Sequence, residues 1–287
     1  MNSPTASIVS LATHDIDFER RFGGIARLYG QSALHRFRNA HVCVVGVGGV
    51  GSWVVEALAR SAIGKITMID LDNLAESNVN RQIHALTDTL GQAKVTALAE
   101  RIEQINPYCV VTEIEDFLTA DNLDEMIGKH DYDYIIDAID NVRAKTALIA
   151  YCRKHGLQLV TVGSAGGQID PTKIAVLDLC RTEQEPLLAK VRKRLRAEHG
   201  FPRGTKNKFG IDAVFSTEPL RFPESEETCA LDGDDTQAGI TGLNCAGFGS
   251  AMVVTASFGL VAAAHVLRKL AVETDTAAKP DETPASS

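Results

Sequence analysis

A glycine loop set directly behind an apolar run constrains this chain more than any other feature. His41-Val-Cys-Val-Val is followed by Gly46-Val-Gly48-Gly49-Val-Gly51-Ser52. A short apolar run ending in such a turn reads as a strand, and the turn lets backbone N–H groups approach a phosphate at the start of the next helix, here Ser52 to Ala62. Gly46, Gly48, Gly49 and Gly51 are therefore candidate nucleotide ligands.

The loop alone is shared by many nicotinamide and flavin proteins. A second strand, Lys65 to Asp70, ends in an acid at the distance from the loop where a ribose partner is expected. The following stretch departs from a dehydrogenase: Asp70-Leu-Asp72-Asn73 leads to Asn78-Val-Asn80-Arg81-Gln82, and Lys94 follows on a helix opened by Gly91-Gln92. Asn78, Arg81 and Lys94 supply donors and positive charge suited to a triphosphate rather than to a flat nicotinamide. ATP is the better fit. A fourth strand, Tyr134 to Asp137, runs into Asp140-Asn141, and a carboxylate at that strand end can hold magnesium against phosphate oxygens, which makes Asp140 the metal candidate. Helix capping is the competing use of Asp137 or Asp140, and loop ordering that of Asn80 or Arg81.

Apolar runs near 41–46, 65–70, 109–113, 133–137 and 158–163 alternate with segments of helical length and period. That pattern predicts an α/β fold, a Rossmann-like mostly parallel sheet flanked by helices, with a further strand over Lys173–Asp178.

The glycine loop, Asp70-x-Asp72, Asn78-x-Asn80-Arg81-Gln82, Lys94 and Asp137-x-x-Asp140-Asn141 together resemble the adenylation domain of the ThiF, MoeB and ubiquitin-activating superfamily. Longer strings are similar to its tRNA threonylcarbamoyladenosine dehydratase branch. They are Arg21-Phe-Gly-Gly-x-x-Arg27-Leu-Tyr-Gly30, Asn80 to Leu86, Gly166-Gly-Gln-Ile-Asp-Pro171 and Val214-Phe-Ser-Thr-Glu218. The similarity covers roughly residues 18 to 270. It implies ATP-dependent adenylation of the threonylcarbamoyl carboxylate on the adenosine beside the tRNA anticodon, followed by cyclisation with loss of water. By the same motifs it implies that Asp70 holds the ribose, that Asn78, Arg81 and Lys94 hold the phosphates, and that Asp140 holds magnesium; Asp72, Gln82 and Asp137 complete the expected nucleotide set. In MoeB-type dimers an N-terminal arginine reaches the partner's nucleotide; the aligned position here is Gly24, which leaves Arg20, Arg21 and Arg27 available, and Arg21 is the candidate taken, against a surface or helix-end charge. The other readings are a ThiF-like activator of a ubiquitin-like or sulfur-carrier protein, and a nicotinamide oxidoreductase, which leaves Asn78, Arg81, Lys94 and Asp140 without work.

Superfamily members often carry two Cys-x-x-Cys pairs that bind zinc, and the six scattered cysteines here contain no such pair, so no zinc is expected. Cys229 and Cys245 are the candidates for a reactive thiol serving a sulfur-transfer partner, against ordinary free thiols. Scattered thiols and the lack of an opening signal pattern predict a cytoplasmic protein.

The division expected is a flexible tail over 1–17, an adenylation domain over 18–270 and a disordered tail over 271–287. Within the domain lie a nucleotide-binding half (41–163), a basic segment (190–208), a mobile loop (221–243) and an apolar helix (246–270). Net charge is −8, yet Lys190 to Lys208 holds eight Lys and Arg against one acid, Glu198. Arg192, Lys193, Arg194, Arg196, Lys206 and Lys208 are the candidate contacts to a tRNA backbone, against a solvated helix face. Residues 246 to 267 lack Asp, Glu, Lys and Arg, which suits a bilayer span by length, or a buried helix at a homodimer interface; its many small residues favour the interface over membrane association.

Overall fold

Alternating apolar runs and helical segments produce a doubly wound sheet. The structure, a computed structural model, describes residues 17–222 and 248–272. Its strands are β1 (His41–Val45), β2 (Lys65–Ile69), β3 (Val110–Ile114), β4 (Tyr134–Asp137), β5 (Leu159–Val162), β6 (Ile174–Asp178) and β7 (Asp212–Ser216). They lie in the order β3-β2-β1-β4-β5-β7-β6, all parallel except β6, which runs antiparallel to β7. The helices are α1 (Phe18–Tyr29), α2 (Gln31–Asn39), α3 (Gly51–Arg60), α4 (Lys94–Ile105), α5 (Val142–His155), α6 (Pro186–Glu198) and α7 (Met252–Ala271).

Continuous apolar strands feed two cores because successive side chains point to opposite faces. Val42, Val44, Ile66, Met68 and Ile136 join the layer built by α3, α4 and α7. Cys43, Val45, Ile69 and Ile135 join the layer built by α5 and α6. Strand β1 stops one residue before its apolar run suggests, since Gly46 adopts φ +83 and turns the chain out of the sheet. Helix α3 likewise ends at Arg60, and Ala62 takes a left-handed φ of +62.

The long uncharged stretch begins its helix at Met252, not at residue 246. Sequence leaves it between a subunit interface and a membrane span; the fold gives most of it a place in this chain's own core. Val254, Phe258, Ala262 and Val266 are fully buried, and each large apolar side chain so buried contributes roughly 1.5–3 kcal/mol. Gly259 allows α7 to lie against the start of α3, because a Cβ there would stand 2.6 Å from the Val50 carbonyl oxygen and 2.9 Å from Trp53 Cβ. Met252, Val253 and Leu260 remain exposed along the outer side.

Candidate nucleotide site

Strand order reverses between β1 and β4, and in sheets of this kind ligands sit in the crevice beyond the carboxyl ends at that point. Register brings the motifs to one edge. Val45 pairs with both Ile69 and Asp137, so Gly46, Asp70 and Ala138 leave the sheet side by side. The Gly46 N–H donates to Ile69 O at 2.9 Å and the Ala138 N–H to Val45 O at 2.9 Å. Glycine is required where the loop closes on itself: a Cβ at Gly51 would lie 1.8 Å from Gly46 O, and one at Gly46 would lie 2.9 Å from Ala138 O.

Charge gathers around this loop. Asp70 accepts the Val47 N–H at 2.8 Å on one oxygen and the Asp72 N–H at 2.9 Å on the other, which leaves acceptor capacity for sugar hydroxyls. Burial pushes its carboxyl up, opposed by nearby Lys94 and the two backbone N–H groups. Lys94 opens α4 with its side chain almost buried, its Nζ 2.7 Å from Asp72 Oδ2 and 3.8 Å from Asp70 Oδ1. Arg81 lies across Gly49, where a Cβ would meet its Cδ and Cγ at 3.2 Å, and donates to Ser77 O at 2.6 Å and Asn80 Oδ1 at 3.0 Å. Burial pulls the Arg81 guanidinium down, and Asp140 opposes that pull.

Asn78 acts through the backbone. Its Oδ1 accepts the Ala75 N–H at 3.0 Å and its carbonyl accepts the N–H groups of Arg81 and Gln82, so it shapes the turn that delivers both side chains. Two buried polar atoms beside the loop have no partner among the described residues: Ser52 Oγ and Gln82 Oε1. Such orphans are costly unless a ligand or water meets them. Trp53, the single tryptophan, donates from Nε1 to Arg81 O at 2.9 Å and so stands as a natural reporter of this pocket.

One expected site residue, Asp137, is placed differently. Asp137 is closed to any ligand: its side chain is 0% exposed, paired with Lys145 Nζ at 2.9 Å and bonded by Thr161 Oγ1 at 2.7 Å. A strand-end acid can turn inward toward a helix lysine, which spacing alone does not reveal. Arg21 caps the far end of α4, donating to Gln104 O at 3.3 Å and Ile105 O at 2.9 Å, while Lys94 is at that helix's opposite end. Within its own chain it supplies a helix-end charge, and the expected reach to a partner's nucleotide concerns a second protomer.

Asp140 is exposed at the ligand edge, and Asn141 takes the capping role by accepting the Arg143 and Ala144 N–H groups at 2.9 and 3.1 Å. Among the described residues no three His, Cys, Asp or Glu side chains gather as a metal site. Magnesium is commonly held by one or two carboxylates together with substrate phosphates, so a lone, exposed Asp140 beside the loop fits that ion.

In the basic segment, Arg192 donates to Thr182 Oγ1, Arg194 pairs with Glu198 at 2.9 Å, and Arg196 lies 5.2 Å from the Phe209 ring centre. Lys193, Lys206 and Lys208 are exposed. Cys229 and Cys245, with most of the 221–243 stretch, lie outside the described residues. Sequence reasoning missed Lys145, Thr161 and Glu185, a buried polar group behind the site; only their positions in the fold single them out.

Fold and site together define a nucleotide-binding α/β protein whose loop faces an arginine, a lysine and an exposed carboxylate. The sequence matches the ThiF family over residues 22–284, and the chain belongs to that family, in its tRNA threonylcarbamoyladenosine dehydratase branch. It is 55% identical over 255 residues to the tRNA threonylcarbamoyladenosine dehydratase of Escherichia coli strain K12, covering 88% of this chain and 94% of that protein. Crystal structures of the E. coli tRNA N6-threonylcarbamoyladenosine dehydratase in complex with ATP and in complex with AMP each superpose with a TM-score of 0.78 at 52% identity, over 88% of this chain and 94% of theirs.

Proposed function

We propose that this chain is an ATP-dependent tRNA threonylcarbamoyladenosine dehydratase that adenylates the threonylcarbamoyl carboxylate. The observation that carries the reading is 55% identity across nearly the whole length of a dehydratase, with Arg81, Lys94 and Asp140 of this chain set around one glycine loop. The carboxylate oxygen attacks the α-phosphorus of ATP, the bond to the bridging oxygen breaks, and pyrophosphate leaves. A nucleophile within the same modified nucleoside then attacks the activated carbonyl and AMP departs, so a poor leaving group has been exchanged for a good one. No protein nucleophile is needed.

The chain's own groups bind and orient. Loop N–H groups and the start of α3 hold phosphate oxygens. Arg81 and Lys94 offset charge that builds on the departing pyrophosphate; removing one such donor typically costs about 100- to 1,000-fold in rate. Asp70 takes the ribose. Magnesium, when bound, would neutralise phosphate charge, and Asp140 is the residue that would hold it. The sugar-phosphate backbone of the tRNA would meet the basic segment, and the exposed Met252, Val253 and Leu260 of α7 would contribute to a homodimer in the cytoplasm.

The test is direct. The purified chain is incubated with ATP, magnesium and threonylcarbamoyl-modified tRNA, and the digested nucleoside is weighed. A mass lower by one water, with pyrophosphate released, is expected. Pyrophosphate release that answers to a small carrier protein and not to modified tRNA would instead make the chain a carrier activator.

A further inference from the structure

The end of β4 carries two acids with opposite fates. Asp140 reaches the ligand edge, whereas Asp137 turns inward and meets Lys145, and both of those side chains are 0% exposed. Lys145 lies one turn into α5, and its Nζ reaches back to the strand that precedes its own helix. It holds Asp137 Oδ1 at 2.9 Å and donates to the Asp137 carbonyl oxygen at 3.2 Å. Thr161 of β5 donates to Oδ2 at 2.7 Å.

A buried ion pair costs several kcal/mol of desolvation per ion and is weak evidence for stability. Its geometry is more informative. Asp137 Oδ1 also accepts the Ile139 N–H at 3.1 Å, which sets the peptide between Ala138 and Ile139. That peptide is the wall of the glycine loop: Ala138 O stands 2.9 Å from where a Gly46 Cβ would be, and Ala138 Cβ 3.5 Å from where a Gly51 Cβ would be. Asp140 is the next residue along. One carboxylate thus fixes both the loop's backing and the approach of Asp140.

Glu185, 3% exposed, accepts the Ser164 N–H at 2.9 Å beyond β5 and caps α6 through the Leu187 and Leu188 N–H groups. Burial pushes the Glu185 carboxyl up, and Lys145 is among the groups that oppose the push. Lys145 thus pairs with Asp137 at the end of β4, and its charge also favours the Glu185 carboxylate.

We propose that the buried Asp137 side chain, with Lys145 as its counter-charge, is a positioning device for adenylation: the oxygen that accepts the Ile139 N–H holds the 138–140 turn in register with the glycine loop although it does not meet the nucleotide. The proposal rests on the adenylation reading. Its mechanism predicts that the hydrogen-bond acceptor at Asp137 matters more than the charge.

Two double variants separate these. Asp137→Asn with Lys145→Met removes both charges and keeps an oxygen for the Ile139 N–H; Asp137→Leu with Lys145→Met removes the oxygen as well. Trp53 fluorescence gives the ATP dissociation constant, and pyrophosphate release with modified tRNA gives kcat and KM. The Asn variant is expected to turn over within about threefold of wild type, while in the Leu variant kcat falls on the order of a hundredfold, as small misplacements of reacting groups do, with ATP affinity moving less than about threefold. Should the Leu variant not fold, Asp137→Ala with Lys145→Met removes the same acceptor without added bulk and carries the same expectation. A folded, oxygen-lacking variant with wild-type kcat would overturn the proposal, as would equal losses in both double variants. A wild-type chain that releases no pyrophosphate would instead overturn the adenylation reading, and the proposal with it.

Discussion

His84 is 2% exposed, and neither of its ring nitrogens has a partner among the described residues. Burial, aided by Lys94 and Arg101, lowers its pKa to about 3. In the unfolded chain the imidazole titrates near its ordinary value, so between about pH 6.5 and 3 the unfolded state takes up a proton that the fold refuses. Stability is therefore lost as pH falls through that window and levels off below it. Replacing His84 by Leu removes both the linkage and two unsatisfied polar atoms. Urea denaturation is expected to find His84→Leu more stable than wild type by about 1 kcal/mol at pH 7, with a gap that widens toward pH 4. Parallel curves for the two proteins would show that His84 does not carry the linkage. Nothing in the string Asn80 to Leu86 marks His84 as buried, whereas Arg81 is legible because a loop arginine following a glycine loop has an obvious use. Asp137 lies between these cases: its place at a strand end is readable, but the inward turn depends on Lys145, whose neighbours in α5 look like any amphipathic helix.

Helix α7 owes its place to one missing methyl group. Any side chain at Gly259 meets the Val50 carbonyl oxygen, Trp53 Cβ and the Val54 nitrogen, at 2.6, 2.9 and 3.1 Å from a Cβ. Those atoms belong to the first turn of α3, immediately behind the phosphate loop, and all three cannot yield without moving that turn. Gly259→Val is expected to cost about 1–3 kcal/mol through overpacking, and to weaken ATP binding read by Trp53 fluorescence. Ala264→Val, at an exposed position on the same helix, is expected to stay within about 0.5 kcal/mol of wild type. Unchanged ATP affinity in a destabilised Gly259→Val would uncouple α7 from the loop. At this scale sequence is a good guide where period and punctuation agree: the runs for β1, β2, β4 and β5 each become a parallel strand with ends shifted by at most one or two residues. It is a poor guide for β7, because a polar stretch separates Asp212–Ser216 from the helix α6 that precedes it. The start of α7 is hidden too, since Gly and Ala residues before Met252 continue the apolar composition without continuing the helix.

Over the whole molecule, the problem is how a chain of net charge −8 meets a polyanion. The answer offered by the fold is segregation. The eight basic residues from Lys190 to Lys208 occupy α6 and the turn after it, but they are not equivalent. Arg192 is half-buried against Thr182, Arg194 is paired with Glu198, and Arg196 is drawn over Phe209 and toward the Pro202 carbonyl, so these three help dock the segment. Local composition makes the patch readable, whereas the division of labour inside it depends on tertiary packing. Lys193, Lys206 and Lys208 are exposed and can pair with phosphates, releasing condensed counterions, at little structural cost. Reversing those three to Glu is expected to weaken binding of modified tRNA and to lower the salt slope of log affinity by about one for each phosphate that is no longer neutralised. ATP affinity read from Trp53 should be unmoved, because the candidate nucleotide site is at the switch point between β1 and β4 and the basic helix follows β6. Equal tRNA affinity and salt slope in the triple variant would remove the segment from the RNA face. A fall in ATP affinity alongside tRNA affinity would mean that the segment acts through the nucleotide pocket.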